Sequence, residues 1–205
     1  FESRTVELFG RLYGEGTKRE LLSGDLAGVG QSVRLGEVVY TLDDAVYKDG
    51  TVYASGTIRP ADGVNVVLLA EDYSVNDPAG YLLFYGEEEI PDDAPTYAEL
   101  AEARNAKLLY VDAIANGVLD ENGKLNASSV GYGMLPQKDG TVQFFFEFAG
   151  GESEIERAEK YEVSVYIANW EVTPVGEWLR EEPENTWLYE DWTVTVEPQM
   201  KEDGK

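Results

Sequence analysis

The stretch KDGTVQFFFEF, residues 138–148, decides how this chain is read. From Thr141 onward it alternates. Val142, Phe144, Phe146 and Phe148 fall on one side, with Thr141, Gln143 and Glu147 opposite, which is the period of two of a half-buried strand. Phe145 breaks the alternation and implies that the second side is partly covered as well. Before the strand, Asp139-Gly140 supplies the positive φ of a tight hairpin. The three phenylalanines mark this strand as the centre of a core.

The same five residues, KDGTV, also stand at 48–52, in AVYKDGTVYASGTIRP. Beyond them nothing aligns, since YASGTI faces QFFFEF. The inward sets differ in size too, Val52, Ala54, Gly56 and Ile58 against Val142 and three Phe. The two stretches are independent hairpins, and the small-residue strand is expected to pack close to a bulky partner.

Outward from these hairpins the pattern repeats. YEVSVYIANW sets Tyr161, Val163, Val165 and Ile167 on one side, and WTVTVEP does so with Trp192, Val194 and Val196. Further strand candidates are 4–9, 32–42, 51–59, 64–70, 81–85 and 107–115. Turns are expected at Asp49-Gly50, Asp62-Gly63, Asn116-Gly117, Asn122-Gly123 and Asp139-Gly140. Many short strands with turn signals between them read as an all-β sandwich or barrel rather than as βαβ units. One α-helix, about 96–105, interrupts them. There Thr96 and Glu99 form a capping box, with Tyr97, Leu100 and Ala101 on the buried side. A short helical turn is expected at 153–160. No linker divides the chain. Residues 1–30 are read as a leading strand or arm, 31–198 as the body and 199–205 as a disordered tail.

Composition narrows the chemistry. The 205 residues include no cysteine and no histidine, so thiolate chemistry, disulfides and histidine-based catalysis or zinc binding cannot be built from this chain. Forty acidic residues against sixteen basic ones give a formal charge of −24, which disfavours nucleic acid and anionic membrane surfaces as partners. The longest aliphatic run, Val66–Ala70, is far short of the ~20 residues of a membrane span. The chain starts at Phe1 rather than Met, so an anchor or leader upstream is compatible with it. GxGxxG, GxxxxGK[ST] and GxSxG are all absent.

Four places invite a site. In LDENGKLN, Asp120, Glu121, Asn122 and Asn126 suggest calcium. Gly123 comes too early for an EF-hand loop, and a hairpin accounts for the same residues. Asn126-Ala-Ser is a glycosylation sequon, relevant only in a eukaryotic secretory context. Glu87, Glu88, Glu89, Asp92 and Asp93 crowd one connection, where a hydrated loop explains them. All four tryptophans, Trp170, Trp178, Trp187 and Trp192, lie in one segment at 170–192. Trp178 and Trp187 either cover a loop or form a sugar-stacking platform; Glu177 and Glu182 would be the carboxyl pair of a hydrolase. Trp178 or Trp187 lying exposed and flat in a groove would favour sugar, and four buried tryptophans would remove that reading's main support.

The stretch Tyr161-Glu-Val163-Ser-Val165 resembles the strand after the tyrosine corner of immunoglobulin-like domains, in which the phenol ties the strand to the preceding turn. GQSVRLGEVVYTLDDAVYKDGTVYASGTIRP (30–60), NDPAGYLLFYGEEE (76–89) and PTYAELAEARNAKLLYVD (95–112) are similar to Ig-like extracytoplasmic regions. That family sits behind a single membrane anchor in Gram-positive gut bacteria, in anti-sigma-factor-like or surface proteins. The likeness spans about residues 28–170 and brings no catalytic signature. It implies an antiparallel Ig-like β-sandwich outside the cell, with no enzyme activity and no cofactor, acting as a sensor, spacer or interaction module for a protein or glycan partner. The alternative is a carbohydrate-binding module that uses the segment 170–192.

Overall fold

The structure is a computed structural model that describes residues 2–81, 89–120, 122–150, 154–177 and 186–202. It is mostly antiparallel β-sheet. In chain order come α1 (Arg4–Tyr13), α2 (Glu15–Leu22), β1 (Asp25–Leu35), β2 (Val38–Lys48), β3 (Thr51–Pro60) and β4 (Val66–Ala70). They are followed by α3 (Tyr97–Arg104), β5 (Lys107–Leu119), β6 (Leu125–Pro136), β7 (Val142–Ala149), β8 (Tyr161–Val172) and β9 (Leu188–Val196). Neighbouring strands follow the order β1-β2-β3-β7-β6-β5-β8-β9, and β4 lies beside β5.

The phenylalanine strand, β7, is central, with β3 on one side and β6 on the other. Phe144, Phe146 and Phe148 are fully buried in the main core, together with Val163, Val165 and Ile167 of β8 and Val194 and Val196 of β9. The small-residue strand beside it behaves as expected. Gly56 lies opposite Phe144, and a Cβ there would come within 2.1 Å of the Phe144 ring and 2.2 Å of the Thr41 carbonyl. Only glycine lets the ring and backbone approach so closely.

The two KDGTV stretches form the β2–β3 and β6–β7 turns. The first is a two-residue loop, Lys48 pairing with Thr51, with Asp49 and Gly50 both at positive φ. Turns also fall at Asp62-Gly63 and Asn122-Gly123. Thr96 and Glu99 cap α3 as a capping box, and Asn105 ends it in the left-handed conformation.

Elsewhere the structure differs from the expectations. Residues 4–9 are helical. Ser3 caps α1 by accepting from the Val6 N–H, while Val6, Leu8 and Phe9 are buried. A six-residue apolar alternation cannot separate helix from strand, and the cap decides it. Residues 1–30 therefore hold two helices and the start of β1 rather than an extended arm. The 32–42 candidate is broken by a turn at Gly36 (φ 62°) into β1 and β2. Asn116-Gly117 is a bulge inside β5, not a turn, because β5 stays paired with β8 on both sides of it. A Cβ at Gly117 would lie 2.0 Å from the Ala127 carbonyl. The described part of 153–160 is irregular rather than helical. Candidate strand 81–85 falls mostly outside the described residues. Finally, β4 and β5 run parallel with α3 as their crossover, a single βαβ unit in an otherwise antiparallel sheet.

The strands form two groups. β1, β2, β3, β7 and β6 make one, and β4, β5, β8 and β9 the other. Among the described residues, β5 meets β6 at two register pairs, Val118 with Ala127 and Leu119 with Leu125. The far ends of the groups also approach each other. Leu26 bridges Gln199, and the Gln31 side chain donates to the Thr195 carbonyl. Residues 199–202, read from sequence as tail, are held in place here, where the Lys201 N–H donates to Asp25. Across the core, the Tyr40 phenol donates to the Ala168 carbonyl at 2.6 Å and accepts from the Asn169 amide at 3.3 Å. These bonds satisfy buried polar atoms that would otherwise be costly.

Candidate functional site, an aromatic face bordered by carboxylates

Strand alternation decides what each outer face carries. On β5, β8 and β9 the side chains of Val111, Ala113, Val165, Ile167, Val194 and Trp192 turn into the main core. The residues between them turn outward: Tyr110, Asp112 and Ile114 on β5, Tyr166 and Ala168 on β8, Tyr189 and Asp191 on β9. Register lines these up across the strands. Ile114 pairs with Tyr166 and Tyr166 with Asp191; Asp112 pairs with Ala168 and Ala168 with Tyr189.

Part of this face is covered. Trp170 and Tyr110 stack at 5.6 Å between ring centres, and Trp170 is buried with Val67, Leu69, Tyr97 and Ala101 beneath α3 and β4. The cover stops short of β9. There Trp187 is 45% exposed and Tyr189 is 62% exposed. Their ring centres are 5.5 Å apart, and Tyr189 stacks on Tyr166 at 6.2 Å with planes 28° apart. A hydrogen bond from Trp187 to the Tyr166 phenol ties the strip together. Exposed Ile114 extends it on β5.

Polar groups border the rings. The bulge at Asn116 swings its amide outward, where it donates to Asp191 at 2.9 Å and to the Ser164 hydroxyl at 3.0 Å. Asp112 is buried and has Glu71, at the end of β4, as its neighbour. Burial first, then the hydrogen bond with Glu71, raises the Asp112 carboxyl to about 8.

The sequence candidates fall out as follows. Trp187 lies on this face. Trp170 and Trp192 are packing residues, the latter in the main core. Trp178 and Glu182 lie outside the described residues, while Glu177 sits on an exposed turn with its N–H held by the Thr173 hydroxyl. At 119–126, the Asp120 carboxylate accepts from the N–H groups of Asn122 and Lys124, the work of a turn residue; Glu121 is outside the described residues. Of the acidic connection, Glu89, Asp92 and Asp93 are described, Glu87 and Glu88 are not, and no group of three acidic side chains is gathered for a metal among the described residues. Tyr166, Tyr189, Asp112 and Glu71 were not singled out in the sequence. The signal for both tyrosines was present, as each alternates with inward neighbours in a strand already assigned. For Asp112 and Glu71 there was none, because only the β4–β5 pairing brings them together.

A second polar site is of another kind. A pocket of about 280 Å³ is lined by Asp25, Tyr47, Lys48, Arg157 and Lys201. Arg157 grips Asp25 with two nitrogens and Lys201 adds a backbone N–H, so hydrogen bonding from Arg157 holds the Asp25 carboxyl below its ordinary range. These groups satisfy one another and clamp the C-terminal segment to β1.

Tyr161 ties its strand to the segment just before it. Its phenol accepts from the Ala158 N–H at 2.7 Å and donates to the Glu156 carbonyl at 3.0 Å. Among the described residues, no helix is long and apolar enough to cross a membrane. Comparison with protein-family models, with curated proteins and with solved structures gives no match.

Proposed function

We propose that this chain is a non-catalytic, Ig-like module displayed outside a bacterial cell, and that it binds a glycan through the outer face of β5, β8 and β9. The observation that carries the reading is the ladder of exposed Trp187 and Tyr189 on half-buried Tyr166. Exposed aromatic rings at successive outward positions of a β-sheet offer flat apolar surface for the C–H faces of sugars. Asn116, Ser164 and Asp191 beside them offer donors and acceptors for hydroxyls. The other two described tryptophans, Trp170 and Trp192, are by contrast buried.

The sandwich form belongs to the same proposal. It is supported by the slender junction of β5 with β6, which leaves two strand groups around one core, and by the phenol tie of Tyr161. The extracytoplasmic placement draws on the acidic surface, the lack of cysteine and the family resemblance.

Affinity electrophoresis in gels containing soluble polysaccharides tests the function. At least one glycan is expected to retard the wild type, with Trp187→Ala running freely in the same gel. If a broad glycan panel leaves the wild type unretarded, the sugar reading fails and a spacer or protein-binding role takes its place.

A further inference from the structure

Among the described residues, no basic side chain pairs with the carboxylates that border the aromatic face. Glu71, Asp72 and Asp191 lie on or beside it, all exposed, and among the described residues none of them forms an ion pair. The ion pairs of the described residues lie elsewhere, among them Lys107 with Glu37, Arg59 with Asp62, Arg157 with Asp25 and Lys160 with Glu162. Asp191 bonds only to the neutral Asn116 amide, and Glu71 is exposed at the margin of the face. A ligand laid on Tyr166, Tyr189 and Trp187 therefore meets π-faces, which attract cations, bordered by carboxylates, which do the same. Uronic or sulfated sugars would meet repulsion at the same place.

We propose that the glycan bound by this face is a chain of amino sugars carrying free, protonated amines. This rests on the glycan reading of the face and narrows it. Stacking places the sugar rings on Trp187 and Tyr189, and the ammonium groups fall towards Asp191 on one side and Glu71 on the other.

Titration calorimetry with oligomers of equal length separates the two claims. The probes are oligomers of glucosamine, N-acetylglucosamine, glucose and galacturonic acid, with polylysine as a plain polycation. The glucosamine oligomer is expected to bind about tenfold more tightly than the glucose oligomer at low salt. The preference should shrink as salt is raised. Asp191→Asn should reduce it several-fold and Trp187→Ala should abolish binding; both residues are at the surface, so folding is not at stake. Equal binding of the glucosamine and glucose oligomers would overturn the charge inference and leave the glycan reading standing. No binding by any sugar would remove both. Glucosamine binding that survives Trp187→Ala, or that polylysine matches, would reduce the effect to general attraction by an acidic protein and overturn the inference.

Discussion

The two outer faces of the sheet invite comparison. Over β2, β3 and β7 lies α1, whose Phe9 packs edge-on against Phe145 at 5.5 Å and against Tyr53 at 5.1 Å. Val6, Leu8, Leu21, Val46 and Leu135 complete a closed second core. Asp44 pins this cover down. It follows a bulge at Asp43 and accepts from the Ser3 hydroxyl and the N–H groups of Arg4 and Thr5, the free donors at the start of α1. Over β5, β8 and β9 the cover is partial. Short α3 and β4 bury Trp170 and Tyr97 and leave Tyr166, Tyr189 and Trp187 towards solvent. A fold that seals one apolar face and leaves aromatic rings open on the other separates the surface that stabilises from the surface available for recognition.

The largest effect should come from the sealed face. Phe9→Ala removes the ring that α1 inserts over β3 and β7, and is expected to cost about 3–5 kcal/mol in denaturant unfolding. A loss below 1 kcal/mol would mean that α1 does not seal this face. Asp44→Ala should follow at about 3 kcal/mol, because it strands buried donors of Ser3 and Thr5, with Asp44→Asn clearly milder.

Asp112 ties stability to pH on the open face. Its carboxyl titrates near 8 in the folded chain against 3.8 ordinarily, so between these values the folded state holds a proton that the unfolded state has released. Stability therefore falls as pH rises through that window, by up to roughly 1.4 kcal/mol per pH unit from this group. Asp112→Asn should match the wild type near pH 4 and exceed it near pH 8, as thermal melts across that range would show. Equal melting at both ends would refute the raised Asp112 carboxyl. Tyr161→Phe removes the phenol tie and should cost about 1 kcal/mol. Trp187→Ala should shift stability least, within about 0.5 kcal/mol, although its effect on binding is the greatest of the set.

Much of this contrast was legible in the sequence. Phe144, Phe146 and Phe148 announced the core, Gly56 the close approach of its neighbour, and Phe145 a covered second side. What covers Phe145 was not legible, since Val6, Leu8 and Phe9 fit either period over so short a window and Ser3 had to be recognised as a cap. Asn116-Gly117 looked like a hairpin because a bulge and a turn use the same left-handed freedom. At the candidate site, Trp187 stood out by residue type alone. Tyr166 and Tyr189 needed the register of β8 with β9, and the pairing of Asp112 with Glu71 needed a parallel strand contact that no local pattern encodes.

The central claim is that recognition belongs to the open face. A ¹⁵N-correlated NMR titration with the glucosamine oligomer tests it directly. The account predicts shifts confined to the Trp187 indole, Tyr189, Tyr166, Asn116 and their neighbours on β5, β8 and β9, with α1, α2 and the strands beneath them unmoved. Shifts centred on the sealed face, or spread evenly over the acidic surface, would contradict it.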